Sequence, residues 1–362
     1  MAYRVNADIA RQSMEYPHMN RPDRLNPLPT ALLIPAVLVA CLGDAGIGGE
    51  TTGEDQGKTV YLFSSFRGNG EDGLHLAYSH DGLKWAALND DKAFLKPQVG
   101  GKLMRDPCII RGPDGVFHMV WTTSWTDRGF GLAHSEDLIK WSKQQFVPVM
   151  KHEAKARNCW APEITWDPAG RQYVLYWATT IPGRFAETAK QGDRAWNHRM
   201  YCTTTKDFKA YRPTRLFCEP GFNVIDSTIV RHGGRYVMVL KDETRHPPAK
   251  NLRIATSDRV TGPWSKASAP FTPKGLWVEG PTCLKVRGYW HVYFDAYRKH
   301  RYGAMRTRDF KAWEDISSRL VLPKGIRHGT AFTVRKAVLD KLRRATSPRS
   351  RQAPMPGRPA GS

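Results

Sequence analysis

Four short segments of this 362-residue chain place a carboxylate at or near the start of a β-like run. They are Arg105-Asp106-Pro107-Cys108-Ile109, Trp160-Ala161-Pro162-Glu163-Ile164, Ile225-Asp226-Ser227 and Val278-Glu279-Gly280-Pro281. A fifth segment, His328-Gly329-Thr330, offers an imidazole in a similar setting. Carboxyl groups gathered in one cleft repel each other and lose water, which pushes at least one pKa upward. Such a set divides into a proton donor and a base at the same pH, the requirement for general acid/base catalysis. A lone Asp-Pro is more often a turn than a site, and a lone His more often a structural hydrogen-bonder. The weight therefore lies in equivalent placement within repeated units.

The repeat is visible in the sequence. Ala77-Tyr78-Ser79-His80-Asp81-Gly82-Leu83-Lys84-Trp85 recurs as Ala133-His134-Ser135-Glu136-Asp137-Leu138-Ile139-Lys140-Trp141. It returns as Thr204-Thr205-Lys206-Asp207-Phe208-Lys209-Ala210-Tyr211 and as Arg306-Thr307-Arg308-Asp309-Phe310-Lys311-Ala312-Trp313, with a looser copy at Ala255-Thr256-Ser257-Asp258 ending on Trp264. Each unit reads as a strand end, an Asp-centred turn and a packing aromatic; Asp suits the turn because its side chain bonds the turn's own backbone. Copies spaced by about fifty to seventy residues fit one per four-stranded propeller blade. β-branched and aromatic runs precede each turn: Val60 to Phe66, Phe117 to Thr123, Tyr173 to Thr180, Tyr236 to Lys241 and Trp290 to Tyr297. These read as second strands. The carboxylate segments, each followed by a glycine turn, read as innermost strands.

The blade of Val60 lacks an inner strand before it, and His328 to Val334 has the character to supply one. The predicted fold is all-β: a five-bladed β-propeller over 58–335, its ring closed by the C-terminal strand completing the N-terminal blade. A β-sandwich would not need five matched units. Parallel inner strands would bring Asp106, the Trp160–Glu163 stretch, Asp226, Glu279 and His328 to one mouth. Second-strand ends would bring Arg67, Ser124, Trp125, Thr180, Asp242, Asp295, Tyr297 and Arg298 to its rim. Trp121, Trp125, Trp160 and Trp277 are candidate flat faces for sugar rings. The insert between Thr180 and Tyr201 is a candidate subsite wall, with Arg194 and Arg199 expected to contact an acidic or branched glycan.

Taken together and in order, these five segments resemble glycoside hydrolase family 43, over about Val60 to Val334. The resemblance implies an inverting glycosidase acting on arabinofuranosyl, xylosyl or galactosyl linkages in poly- or oligosaccharides. It implies Asp106 as general base, Asp226 as the residue that tunes the acid's pKa and orients it, and Glu279 as general acid. Substrate contacts are expected from Trp125, Trp160, Glu163, Asp242, Arg298 and His328. No cofactor is required; His328 resembles a central-channel histidine found near calcium or a water cluster, so a structural calcium held through water is the one metal expected. Two departures stand out: a partial blade precedes Asp106, and Ser227 stands where many members have Pro.

Outside the propeller, Ala31 to Ala40 is an apolar run of signal-peptide length, preceded by Arg21 and Arg24 and ending in the lipoprotein-like Leu38-Val39-Ala40-Cys41. Residues 1–57 are read as leader and linker, with Met19 a more natural start than Met1, export expected and Cys41 the candidate lipid anchor and membrane contact. Residues 336–362 are read as a basic disordered tail. The net charge of +21 raises nucleic acid as a partner, but the predicted mouth is acidic and no nucleic-acid binding is expected. A non-catalytic carbohydrate-binding propeller fits the repeats alone. A retaining fructan-type hydrolase would need an Asn-Asp-Pro motif before Asp106, and a phosphorylase would need a phosphate site such as Arg298, His300 and Arg301. The cysteines match no zinc spacing.

Overall fold

The computed structural model describes residues 59–347. The leader, the linker and Cys41 lie outside the described residues, as does the chain beyond Ser347. Five antiparallel sheets form the blades of a propeller. The first contains β1 (Thr59–Ser65), β2 (His75–Ser79) and β3 (Ala86–Ala87). The second runs β4 (Arg105–Arg111), β5 (Phe117–Thr122), β6 (Phe130–Ser135) and β7 (Gln145–Val147). The third runs β8 (Trp160–Asp167), β9 (Gln172–Thr180), β10 (His198–Thr205) and β11 (Arg215–Cys218). The fourth has only β12 (Val224–His232), β13 (Arg235–Asp242) and β14 (Asn251–Ser257); the fifth runs β15 (Glu279–Val286), β16 (Tyr289–Ala296), β17 (Arg301–Thr307) and β18 (Glu314–Asp315). Finally β19 (Ala331–Arg335) pairs antiparallel with β1, from Thr59↔Arg335 to Phe63↔Ala331. The last strand thus supplies the first blade's inner strand, as the sequence predicts, and leaves no open sheet edge between the chain ends.

The repeated turns form as their composition requires. Oδ1 of Asp81 accepts from Leu83 N and Lys84 N at 2.8 Å each, and Asp137, Asp207 and Asp309 do the same in their blades. In the loose fourth copy, Arg259 occupies the Asp position, and that blade is the one without a fourth strand. Blades are also clasped to each other: Ser64 Oγ donates to Pro107 O at 2.6 Å, Ala161 N to Thr122 Oγ1 at 2.8 Å, and Ala331 N to Thr282 Oγ1 at 3.0 Å. Apolar clusters fill the spaces between blades, one of them joining Cys108, Val120 and Phe130 to Leu175 and Trp177.

One boundary is corrected. Lys336–Thr346 is a helix, α1, and not part of a disordered tail. Leu339 and Leu342 are buried on its inner face in a cluster with Val60, Leu62 and Val334, so burial of an apolar stripe offsets the ordering cost that its basic composition suggested would go unmet. No disulfide forms among the described residues; Cys108, Cys159, Cys202 and Cys218 are buried and Cys283 is half-buried.

Candidate active site

Each of β4, β8, β12 and β15 carries a bulge near its start, seen as a register break at Arg105/Cys108, Trp160/Glu163, Ile225/Ser227 and Glu279/Thr282. The bulged residues are Asp106 (φ 51°), Ala161 (φ 45°), Asp226 (φ 45°) and Gly280 (φ 57°). Left-handed backbone is costly for residues with a Cβ, and here it re-aims two carboxylates. Glycine is required at position 280: an added Cβ would lie 2.4 Å from Cγ of His328. Glu279 precedes its bulge, so it enters the site one register step away from the two aspartates.

His328 lies between those aspartates, its Nδ1 3.3 Å from Asp106 Oδ1 and 3.9 Å from Asp226 Oδ2. Thr122 Oγ1 donates to Asp106 Oδ2 at 2.9 Å. Gly280 N donates to Asp226 Oδ2 at 3.0 Å, tying Asp226 to the backbone beside Glu279. Glu279 is gripped by Lys241 Nζ (3.2 Å) and Arg327 (3.0 Å). Arg327 also binds Asp295 at 2.6 Å, and Lys241 binds Glu243 at 2.6 Å.

These contacts separate the carboxyl groups electrostatically. Burial would raise Asp106, but the hydrogen bond and charge of His328, with Arg105 and Thr122, outweigh it and hold Asp106 at about 2. Burial pushes Asp226 up to about 6 against the pull of His328 and Lys241, and the charges of Glu279 and Asp106 add to the rise. Burial likewise lifts Glu163 to about 7, with His328, Thr228 and Tyr176 opposing. Burial would depress His328, but Asp106, Asp226 and Glu163 raise it to about 9. The centre is therefore an imidazolium among acids, one of them firmly ionised.

The expected residues divide as follows. Asp106, Asp226, Glu279, Glu163 and His328 come together. Trp125 is 49% exposed on the rim, with Trp160 edge-on to it at 5.6 Å. Trp160 also meets Trp196 at 4.7 Å, and Trp196 stacks on His198 at 5.4 Å and 5°. Arg298 is exposed and lies 3.8 Å over Trp277. Asp242 is not free for a substrate: it is buried and bound by Arg253 Nε at 3.0 Å. Trp121 is fully buried against Gly131 and offers no face. Arg199 is also fully buried, held by Glu219, Thr188 and Asn197 inside the insert, so it serves the wall's structure.

Among the described residues no group of three or more His, Cys, Asp or Glu is placed to hold a metal ion directly, whereas calcium takes six to eight oxygen ligands. Sequence reasoning missed Arg327, Lys241, Arg105 and Thr122. Lys241 stood in the quoted β13 run, but nothing local marked it as facing the acids. Beneath Glu163 the channel widens to a cavity of about 1050 Å³ that opens away from the aspartates, past Cys108, Thr228, Thr282 and Thr330.

Residues 57–340 match the model of a glycoside hydrolase 43-related family described as a probable glycosyl hydrolase domain. The chain belongs to that family. The match takes in the whole propeller and the strands that carry Asp106, Asp226 and Glu279. An alpha-L-arabinofuranosidase of Bifidobacterium longum subsp. longum is 22% identical, over 64% of this chain and 25% of that protein. The chain thus spans about a quarter of that relative. A thermostable family-43 glycoside hydrolase of known structure superimposes at a TM-score of 0.50 with 14% identity, covering 66% of this chain and 85% of the other, which speaks for the fold.

Proposed function

We propose that the protein is an inverting glycosidase that cleaves arabinofuranosyl, xylosyl or galactosyl linkages in poly- or oligosaccharides. The observation that carries this reading is the division of the carboxyls: Asp106 held ionised by His328, and Asp226 raised to about 6 while hydrogen-bonded to the backbone beside Glu279. In one step, water loses a proton to Asp106 as its oxygen bonds the anomeric carbon. The bond to the leaving oxygen breaks as that oxygen takes the proton of Glu279. Asp226 orients this exchange, and solvent then takes the proton from Asp106 and returns one to Glu279. The arabinofuranosidase activity of the Bifidobacterium relative supports the arabinofuranosyl member of the set.

Asp226 carries the raised pKa, which favours a second reading in which it is the proton donor. One experiment separates them: Glu279→Gln and Asp226→Asn assayed on natural oligosaccharides and on nitrophenyl glycosides, with the product anomer read by proton NMR. Loss of a general acid costs about 10²–10⁴-fold, and an activated leaving group hides that loss. Glu279→Gln should show this pattern with an inverted anomer. If Asp226→Asn shows it instead, Asp226 is the donor. A retained anomer refutes inversion, and sugar binding without turnover on any substrate refutes the enzyme.

A further inference from the structure

Beyond the acids, the rim is basic, and its guanidinium groups are arranged in an unusual way. Arg105 lies 4.3 Å over Trp125, Arg157 4.1 Å over Trp196, and both Arg245 (4.9 Å) and Arg298 (3.8 Å) over the single indole of Trp277. None of these four arginines has a carboxylate within ion-pair distance among the described residues. Arg105 also acts on Asp106 through its charge, but Arg245 and Arg298 serve none of the central acids: Lys241 and Arg327 hold Glu279, Lys241 and Lys250 hold Glu243, and His328 holds Asp106.

The pair on Trp277 is the most telling. Three cations lie within 6 Å of this one half-buried ring, and of them only Lys250, 5.6 Å from its centroid, has a carboxylate partner, Glu243, leaving the charges of Arg245 and Arg298 available to an anion. Neither guanidinium has a carboxylate within ion-pair distance among the described residues, so its N–H groups remain available to a planar, bidentate acceptor. The ring is also adjacent to the reacting groups. Trp277 lies two residues before Glu279, its centroid 6.3 Å from that of Tyr297, whose ring lies 5.0 Å from the Lys241 Nζ that binds Glu279. The insert closes this side, with Arg245 N donating to Gln191 O at 2.7 Å.

We infer that Arg245 and Arg298, mounted on Trp277, form a subsite for an anionic substituent on the glycan, a carboxylate or a sulfate ester. The inference rests on reading this mouth as a carbohydrate site and names the class of carbohydrate it takes. It moves the acidic-glycan contact expected of the insert's arginines to Arg245, which touches that insert, and to Arg298, since Arg199 is buried and held within it.

The test is titration calorimetry on full-length Glu279→Gln protein, so that turnover does not interfere. The ligands are oligogalacturonides, glucuronic-acid-branched xylo-oligosaccharides and sulfated galacto-oligosaccharides, each beside its carboxyl-reduced or desulfated form. A bidentate charged contact should give an acid-over-neutral preference of about ten- to a hundredfold on at least one pair. In the Arg245→Ala/Arg298→Ala background that preference should fall to within about twofold, with an unchanged circular dichroism spectrum and melting curve. Preference on the uronate pairs identifies a carboxylate, and on the sulfated pair a sulfate ester. No preference on any pair, or one that survives the double substitution, overturns the inference. Hydrolysis of neutral glycosides without acid preference refutes this subsite alone; acid preference without hydrolysis of anything refutes the glycosidase alone.

Discussion

Burial drives Asp226 towards its neutral form, while His328 and Lys241 pull it back towards the charged one. Its folded pKa of about 6 lies above the ordinary carboxylate value of about 4. Between those two pH values the folded protein holds a proton that the unfolded chain has released, so wild-type stability falls as pH rises through that window. Asn cannot ionise and keeps a carbonyl oxygen for Gly280 N. Asp226→Asn should therefore melt higher than wild type at pH 8, by no more than about 3 kcal/mol, and the advantage should shrink as pH falls to 4. Thermal denaturation of both proteins across pH 4–8 checks this; a constant difference would mean the carboxyl is not under that stress. On the roles proposed above, activity should move the other way, since Asn cannot tune the acid.

Among the elements, the bulges that open four inner strands do what no single residue does. They lift Asp106 and Asp226 into left-handed backbone and bring the Gly280 N–H onto Asp226. Gly280→Ala tests this device without touching a catalytic group. Its Cβ would press on the ring of His328 in a backbone conformation that favours glycine. We expect a destabilisation of about 1–3 kcal/mol and a fall in kcat/KM of up to about a hundredfold, since displacements near 1 Å cost that much. Melting temperature and steady-state kinetics read the two effects; wild-type behaviour in both would show that the bulge of β15 is dispensable.

At the level of the whole molecule, closure by β19 and α1 decides whether the mouth exists at all. β19 completes the first blade, its neighbour His328 anchors the aspartates, and Leu339 and Leu342 seal the cluster beneath. A chain ending at residue 330 keeps His328 but loses β19, Leu339 and Leu342, leaving that histidine on an unpaired chain end and exposing the edge of β1. It should be aggregated or non-cooperative in thermal melting, whereas one ending at residue 347 should melt as the full chain does. Size-exclusion chromatography with circular dichroism distinguishes the two, and a cooperative, monomeric 330-residue product would refute closure as the source of stability.

The sequence by itself determined the number of blades, the closing strand and the convergence of Asp106, Asp226, Glu279, Glu163 and His328. All of these rest on local patterns, the Asp-centred turns and period-two strands, repeated in step along the chain. The loose fourth copy was legible as a repeat, but that its blade stops at three strands was seen only in the structure. What only the tertiary structure decided was which way individual side chains point and which partner each finds. Thr122 reaches Asp106 while its neighbour Trp121 faces the core, because successive strand residues take opposite faces and the register was not readable from composition. Asp242 went to Arg253 on the next strand of its own blade and Arg199 into the insert, pairings set by register and loop path, while Lys241 and Arg327 reach Glu279 from distant parts of the chain. The helix α1 was hidden for a similar reason: its two leucines gain stability only once the propeller offers a surface to cover.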